Sequence, residues 1–240
     1  MRRLGQHFLG DPKILDRIVD ALDPIPGETV LEIGPGKGSL TEALLARGLT
    51  VVAIEKDRDL AAALARNNLT VVAGDALRIQ WPRVPKIVGN IPYYITSPLI
   101  DKALTPPLPE RVVFLVQAEV ADRLAAEPGS KIYGALSVGV QAVCRVEKLF
   151  TVAPGSFKPP PKVRSAVVRL TPRAVPLVTP EEIASLRTFV TGCFSKRRKQ
   201  LKNAVPGMSE TDLRALGFDP AIRPERLAPE DFVKLLRYKR

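Results

Sequence analysis

The chain has 240 residues, 45% of them hydrophobic and 25% charged, and 36 Lys and Arg against 25 Asp and Glu give it a formal charge of +11. That length and apolar content suit one large core with a smaller satellite and exclude a disordered chain. No stretch approaches the roughly 18 consecutive apolar residues of a membrane span, no apolar signal core follows Met1-Arg2-Arg3-Leu4, and two cysteines with one histidine leave disulfide frameworks, metal clusters and Ser-His-Asp hydrolysis without their residues. The expectation is a soluble, cytoplasmic protein that uses no metal and holds Cys144 and Cys193 as buried free thiols.

From Thr29 to about Val116, short β-rich runs alternate with helix-like stretches: TVLEI, SLTEALLAR, TVVAIE, RDLAAALARN, LTVVAGD, KIVGN and RVVFLVQ. This rhythm predicts a doubly wound α/β sheet, and the lack of polar alternation in the β-runs suits strands covered on both faces. Further on, LFTVAPGSFKPPPKVRSAVVRL reads as two β-runs around a proline-rich loop that extend the same sheet. Beyond Pro176 the pattern turns helical. Helical starts fall at Pro180-Glu181-Glu182, at Ser209-Glu210-Thr211-Asp212 and at Pro229-Glu230-Asp231, with a basic segment from Ser195 to Asn203. The predicted division is therefore 1–176 for the α/β domain and 177–240 for a small all-α domain, with Thr171 to Pro180 as linker.

The charge divides unevenly. Residues 1–150 hold 18 basic and 17 acidic side chains, and residues 151–240 hold 18 basic and 8 acidic. A field of that kind attracts polyanions, so nucleic acid is the first partner to consider.

Ligands in doubly wound folds bind at the carboxyl ends of the strands, and each β-run here ends in a residue suited to one. TVLEI runs into Gly34-Pro35-Gly36-Lys37-Gly38, whose glycines let a ligand approach the backbone. This is no phosphate loop, because Gly38 follows Lys37 where Ser or Thr would bind magnesium. TVVAIE ends in Glu55, where a carboxylate can accept both ribose hydroxyls of an adenosine-bearing cofactor, S-adenosylmethionine and NAD alike. LTVVAGD ends in Asp75, which can accept from an adenine amino group or simply serve a turn.

KIVGN runs into Asn90-Ile91-Pro92-Tyr93. The lone pair of adenine N6 is delocalised into the ring, so N6 is a poor nucleophile until its amino group is oriented. The Asn90 side-chain oxygen and the Ile91 carbonyl, with Pro92 fixing the turn, can accept the amino hydrogens and align that lone pair, and the Tyr93 ring can stack on an extruded base. An NAD-dependent oxidoreductase would account for the glycines and Glu55 but not for this motif.

These motifs, together with GQHFLGD, QAEVADRL, YGALSVGVQ, PGSFKPPPKVRSAVVRL and CFSKRRKQLKN, give the chain a nearly full-length resemblance to the ribosomal RNA adenine N6,N6-dimethyltransferase family, in its bacterial small-subunit branch. The resemblance implies a Rossmann-like S-adenosylmethionine-dependent methyltransferase sheet with a small helical RNA-binding domain. It implies dimethylation of two adjacent adenosines in a hairpin near the 3′ end of small-subunit (16S) rRNA during ribosome assembly. The partner would be rRNA or a 30S assembly intermediate, and nothing demands more than a monomer. Carried over residue by residue, it places His7, Leu9, Gly34, Gly36, Glu55, Asp75 and Asn90 at the cofactor, with His7 standing where many relatives have Asn. Asn90, Ile91, Pro92 and Tyr93 form the transfer site. Phe157, read as lying on an exposed rigid loop, approaches the target base opposite Tyr93. Lys158, Lys196, Arg197, Arg198, Lys199 and Lys202 are the expected phosphate contacts.

Overall fold

The structure is a computed structural model that describes residues 7–64, 66–195 and 199–238. A short strand, β1 (Phe8–Leu9), comes first. Helix α1 (Pro12–Ala21) begins where the Asp11 carboxylate accepts from the Lys13 and Ile14 amides, and Pro12 occupies the first turn, where its missing N–H costs nothing. Its buried residues Leu15, Ile18 and Val19 recur at three- and four-residue spacing and form one apolar stripe.

Strands and helices then alternate as β2 (Thr29–Ile33), α2 (Ser39–Ala46), β3 (Thr50–Glu55), α3 (Arg58–Ala63), β4 (Leu69–Ala73), β5 (Lys86–Asn90), α4 (Thr96–Ala103) and β6 (Arg111–Gln117). Helices α5 (Ala118–Leu124) and α6 (Ala135–Gln141) precede β7 (Cys144–Val152), β8 (Phe157–Lys158) and β9 (Ser165–Pro172). The remainder is helical: α7 (Glu182–Ser195), α8 (Leu201–Ala204), α9 (Glu210–Ala215) and α10 (Pro229–Tyr238).

The seven-stranded sheet has the order β4-β3-β2-β5-β6-β9-β7, and β1 and β8 form a separate antiparallel pair. Strands β2 to β6 are mutually parallel and β9 runs antiparallel to β6. Their registers align Ile33 with both Ile54 and Gly89, Glu55 with Ala73, and Asn90 with Leu115, so the glycine loop, Glu55, Gly74-Asp75 and Asn90 all leave the sheet along one rim. The core under that rim joins Leu15, Ile18 and Val19 of α1 and Leu40 and Leu44 of α2 to Val30, Val51, Val88 and Val113 of the strands. The α/β reading and its parallel sheet are thus confirmed.

The chain forms two compact units. One takes residues up to Ala121 and then Glu147–Pro172, and the other takes Asp122–Val146 and everything from Arg173 onward. The sequence division at 176/177 drew a single boundary, whereas here residues 122–146 group with the C-terminal helices. Their attachment is visible in hydrogen bonds: Arg173 Nε donates to the Gln141 carbonyl at 2.8 Å, and the Leu177 amide donates to the Ala142 carbonyl at 2.9 Å. Within the same unit Glu182 receives Arg237 Nε at 3.2 Å and Nη2 at 2.9 Å, and Phe194 packs near both Phe232 and Tyr133. Cys144 and Cys193 are buried thiols, and burial pushes Cys144 up to about 12.

Strands β2 and β5 approach so closely that only glycine fits at position 89. A Cβ there would lie 2.6 Å from the Ile33 carbonyl oxygen and 2.9 Å from Ile91 Cδ1. Gly89→Ala is expected to destabilise the protein by about 1–3 kcal/mol through backbone displacement. A shift in the urea midpoint at unchanged m-value checks this.

Candidate active site

The rim borders an open cleft. Its walls come from the strand ends and from His7, Phe8 and Leu9, which bring the N-terminal segment across to them. Gly34, Gly36, Glu55, Asp75, Asn90, Ile91, Pro92 and Tyr93 all line it, so the sequence-predicted residues of the strand ends do converge. Gly36 has a φ of +60°, and a Cβ there would sit 2.8 Å from the Phe8 ring. The loop and the N-terminal segment therefore close on each other through a contact only glycine permits.

Glu55 is buried and organises the loop opposite it: Oε2 accepts from the Gly36 amide at 3.0 Å and Oε1 from the Asp57 amide at 2.8 Å. Each oxygen keeps a second acceptor site, enough for a pair of vicinal hydroxyls. Asp75 accepts from Lys56 Nζ at 2.9 Å and from the Leu77 amide at 3.0 Å, and these two hydrogen bonds, the ammonium's foremost, hold its carboxyl below the usual range. It therefore stands as an ionised acceptor.

One acid that the sequence reading passed over lies deeper. Glu32, the acid of the EIGPG motif, is buried, lines the cleft and accepts from Thr41 Oγ1 at 2.6 Å. Burial pushes it up to about 7, against the Thr41 hydrogen bond and with help from the charge of Glu55. Its place in the middle of a β-run that reads as continuous core was the available signal.

At the end of β5 the Asn90 amide is oriented by its surroundings. Nδ2 donates to the His7 carbonyl at 2.8 Å. A carbonyl only accepts, so the other arm of that amide is Oδ1, an acceptor. The following turn is held by the Ile95 amide donating to the Pro92 carbonyl at 3.1 Å and by Thr96 Oγ1 donating to the Tyr93 carbonyl at 3.2 Å. The Tyr93 hydroxyl shares a 2.6 Å hydrogen bond with Oγ of the fully buried Ser165, and its ring stacks on the His7 ring at 6.0 Å and 27°. Burial raises the phenol above its ordinary value, so it remains a neutral ring. His7 is fixed in turn, because Nδ1–H donates to the Pro159 carbonyl at 2.8 Å. Ser165 was invisible as a site residue in the sequence because it reads as the start of a strand.

Two sequence expectations need correction. Phe157 does not line the cleft. It is 2% exposed and packs in the core with Leu9, Val152 and Val167. The reason is local: Phe157 pairs with Leu9 in the β1–β8 ribbon, strand alternation turns it inward, and Lys158 faces outward at the start of the proline loop. Lys202, expected at phosphate, donates instead to Glu210 Oε1 at 2.7 Å. Lys158 and Lys199 are exposed as expected, whereas Lys196, Arg197 and Arg198 lie outside the described residues.

Comparison with known proteins agrees with this arrangement. A family model described as ribosomal RNA adenine dimethylase matches residues 1–239. A Hahella chejuensis protein named ribosomal RNA small subunit methyltransferase A is 44% identical over 250 residues, covering 99% of this chain and 92% of its own. A protein of the same name from Aromatoleum aromaticum is 42% identical over 246 residues, covering 99% and 93%. Among solved structures, a dimethyladenosine transferase from Plasmodium falciparum superposes with a TM-score of 0.85 at 31% identity over 97% of both chains. The 23S rRNA methyltransferase ErmE does so with 0.73 at 31% identity over 96% of this chain and 98% of its own.

Glu32 also gives the fold a pH dependence. Below its ordinary value of 4.5 the carboxyl is protonated in the folded and the unfolded chain alike; between 4.5 and about 7 the folded protein keeps a proton that the unfolded chain has lost. Stability therefore falls as pH rises through that window and levels off above it. Glu32→Gln is expected to flatten this descent in urea titrations from pH 4.5 to 8. An unchanged slope would show that the acid is solvated.

Proposed function

The chain belongs to the ribosomal RNA adenine dimethylase family, S-adenosylmethionine-dependent enzymes that methylate adenine N6, and we propose that it converts two adjacent adenosines of a hairpin near the 3′ end of small-subunit rRNA to N6,N6-dimethyladenosine. The observation that carries this reading is the Asn90 amide. Its Nδ2 is held by the His7 carbonyl, so its oxygen is presented beside Tyr93 on the rim that also bears Glu55 and Asp75. The proposal assigns the acting form to a cytoplasmic monomer working on an assembling 30S particle.

The cleft suits the cofactor on its own terms. Two buried acids, Glu32 and Glu55, favour a positively charged ligand, and the loop around Gly36 leaves no room for a side chain. Glu55 would accept the ribose hydroxyls and Asp75 the adenine amino group, with His7, Leu9, Gly34 and Gly36 bounding the remainder. When bound, S-adenosylmethionine supplies an electrophilic methyl on a positive sulfur. Oδ1 of Asn90 and the Ile91 carbonyl accept the two N6 hydrogens, which turns the nitrogen lone pair out of conjugation and toward the methyl. Pro92, at φ −57° and ψ 127°, fixes that carbonyl, and Tyr93 stacks on the base at a tilt set by Ser165 and His7. The contribution of these residues is orientation. The alkylated amine is acidic and releases its N6 proton to water, so no buried base is needed.

Phosphate contact falls to exposed Lys158 and Lys199 and to Lys196, Arg197 and Arg198 in the same basic run.

The deciding measurement is transfer of labelled methyl to small-subunit particles lacking the modification, with nucleoside analysis of the product. Dimethyladenosine is expected from the wild type. Asn90→Ala is expected to lower kcat roughly 10²–10³-fold, as loss of one preorganised polar group does elsewhere. Cofactor binding without transfer to any rRNA would refute the reading. Ser165→Ala, which frees the Tyr93 ring while leaving Asn90 in place, is expected to raise KM for RNA roughly two- to tenfold through loss of one hydrogen bond. The dissociation constant for S-adenosylmethionine should not move.

A further inference from the structure

The turn that carries Tyr93 continues into a second tyrosine with no part in the mechanism above. Tyr93–Ile95 is a single 3-10 turn, in which consecutive side chains point in different directions. Tyr93 is partly buried against His7 and Ser165, whereas Tyr94 lines the cleft mouth and is 63% exposed. One cation lies near it and two more lie beyond. Lys56, also exposed, is close enough to both Tyr94 and Arg78 to interact electrostatically with them. The Arg78 amide donates to the Asp75 carbonyl at 2.8 Å, which places this exposed arginine on the turn that leaves Asp75. Asp75 is the one acid within this group, and Lys102 adds a further positive charge near it.

An exposed ring with basic side chains in its neighbourhood is a combination that holds single-stranded nucleic acid: the ring takes a base and the cations take its phosphate. We propose that Tyr94 is the stacking platform for the nucleotide adjoining the target adenosine, with Arg78 and Lys56 on the connecting phosphate. The proposal rests on the reading that this cleft acts on RNA, and it extends that reading from one base to two. A base drawn from a hairpin loop into the Asn90 turn loses its stacking neighbour. A ring on that same turn, at the cleft mouth, gives that neighbour a replacement. For a substrate with two adjacent targets, the platform keeps the second adenosine ordered while the first reacts.

The test uses the full chain saturated with S-adenosylmethionine, a fluorescent RNA hairpin bearing the two adenosines, and variants Tyr94→Ala, Tyr94→Phe and Arg78→Gln. Tyr94→Ala is expected to weaken RNA binding roughly tenfold, as removal of one base–aromatic stack does, and Tyr94→Phe to retain it. Arg78→Gln should lower the slope of log K against log salt by about one. Cofactor affinity should be unchanged in all three, because exposed side chains at the mouth do not shape the buried loop. Wild-type RNA affinity in Tyr94→Ala would overturn the proposal. So would a loss seen only with protein-bearing particles and not with the bare hairpin, which would make Tyr94 a protein contact. If the wild type methylates the hairpin and Tyr94→Ala matches it in affinity and rate, only this inference falls. If the wild type binds cofactor but methylates no RNA, the reading beneath it falls instead.

Discussion

A primary amide has one donating and one accepting end, and in Asn90 the donating end is committed to the carbonyl of His7. Most of the site follows from that commitment. It decides which end of Asn90 faces a ligand, it ties the N-terminal segment to the carboxyl rim, and it does so without help from any charged group. His7 is itself held from the other side by the Pro159 carbonyl, and its ring stacks on Tyr93. Asn90, His7 and Pro159 are thus joined by hydrogen bonds, and Tyr93 joins them through its ring contact with His7.

The acids of the cleft divide into two kinds by their surroundings. Asp75 sits near water with an ammonium against it and is ionised under all ordinary conditions, so it is a fixed acceptor. Glu32 sits out of water beside another acid and has only a hydroxyl to hold it, so its charge depends on what occupies the space next to it. A cationic ligand restores to Glu32 what burial removed. The protonation of Glu32 is therefore sensitive to any charge brought into the cleft that it lines.

Much of this was legible in the sequence, and the reasons are specific. Parallel strands buried on both faces write themselves as unbroken apolar runs, and their carboxyl ends are marked by Gly34, Glu55, Asp75 and Asn90. What was not legible depended on pairing between distant segments. Phe157 reads as a loop residue because prolines follow it; only its ribbon with Leu9 turns it inward. Ser165 reads as an ordinary strand start, and its role as a partner of Tyr93 spans 72 positions. The stretch ALSVGVQ, rich in β-branched residues and carrying a glycine, has weak helical preference, yet it forms α6 because its polar side chains find carbonyls. Ser137 donates to the Arg123 carbonyl, and Gln141 Nε2 donates to those of Leu124 and Ala126 at 2.8 and 2.9 Å. No local rule encodes those partners.

The ribbon of β1 with β8 joins residue 8 to residue 158. On a ribosome that adds about 5–20 residues each second, this separates the two strands by roughly 8–30 seconds of synthesis. During that interval the parallel strands and α2 can already form, since their partners are near in sequence, but the segment that covers their carboxyl ends still lacks its β-ribbon partner. The nascent chain therefore carries an open rim until Phe157 and Lys158 emerge, and the completed cleft is among the last features of its unit to appear. A chain released early would hold a recognisable sheet and an uncovered floor. Capacity to bind a small ligand is in this way a report that translation has passed the proline loop.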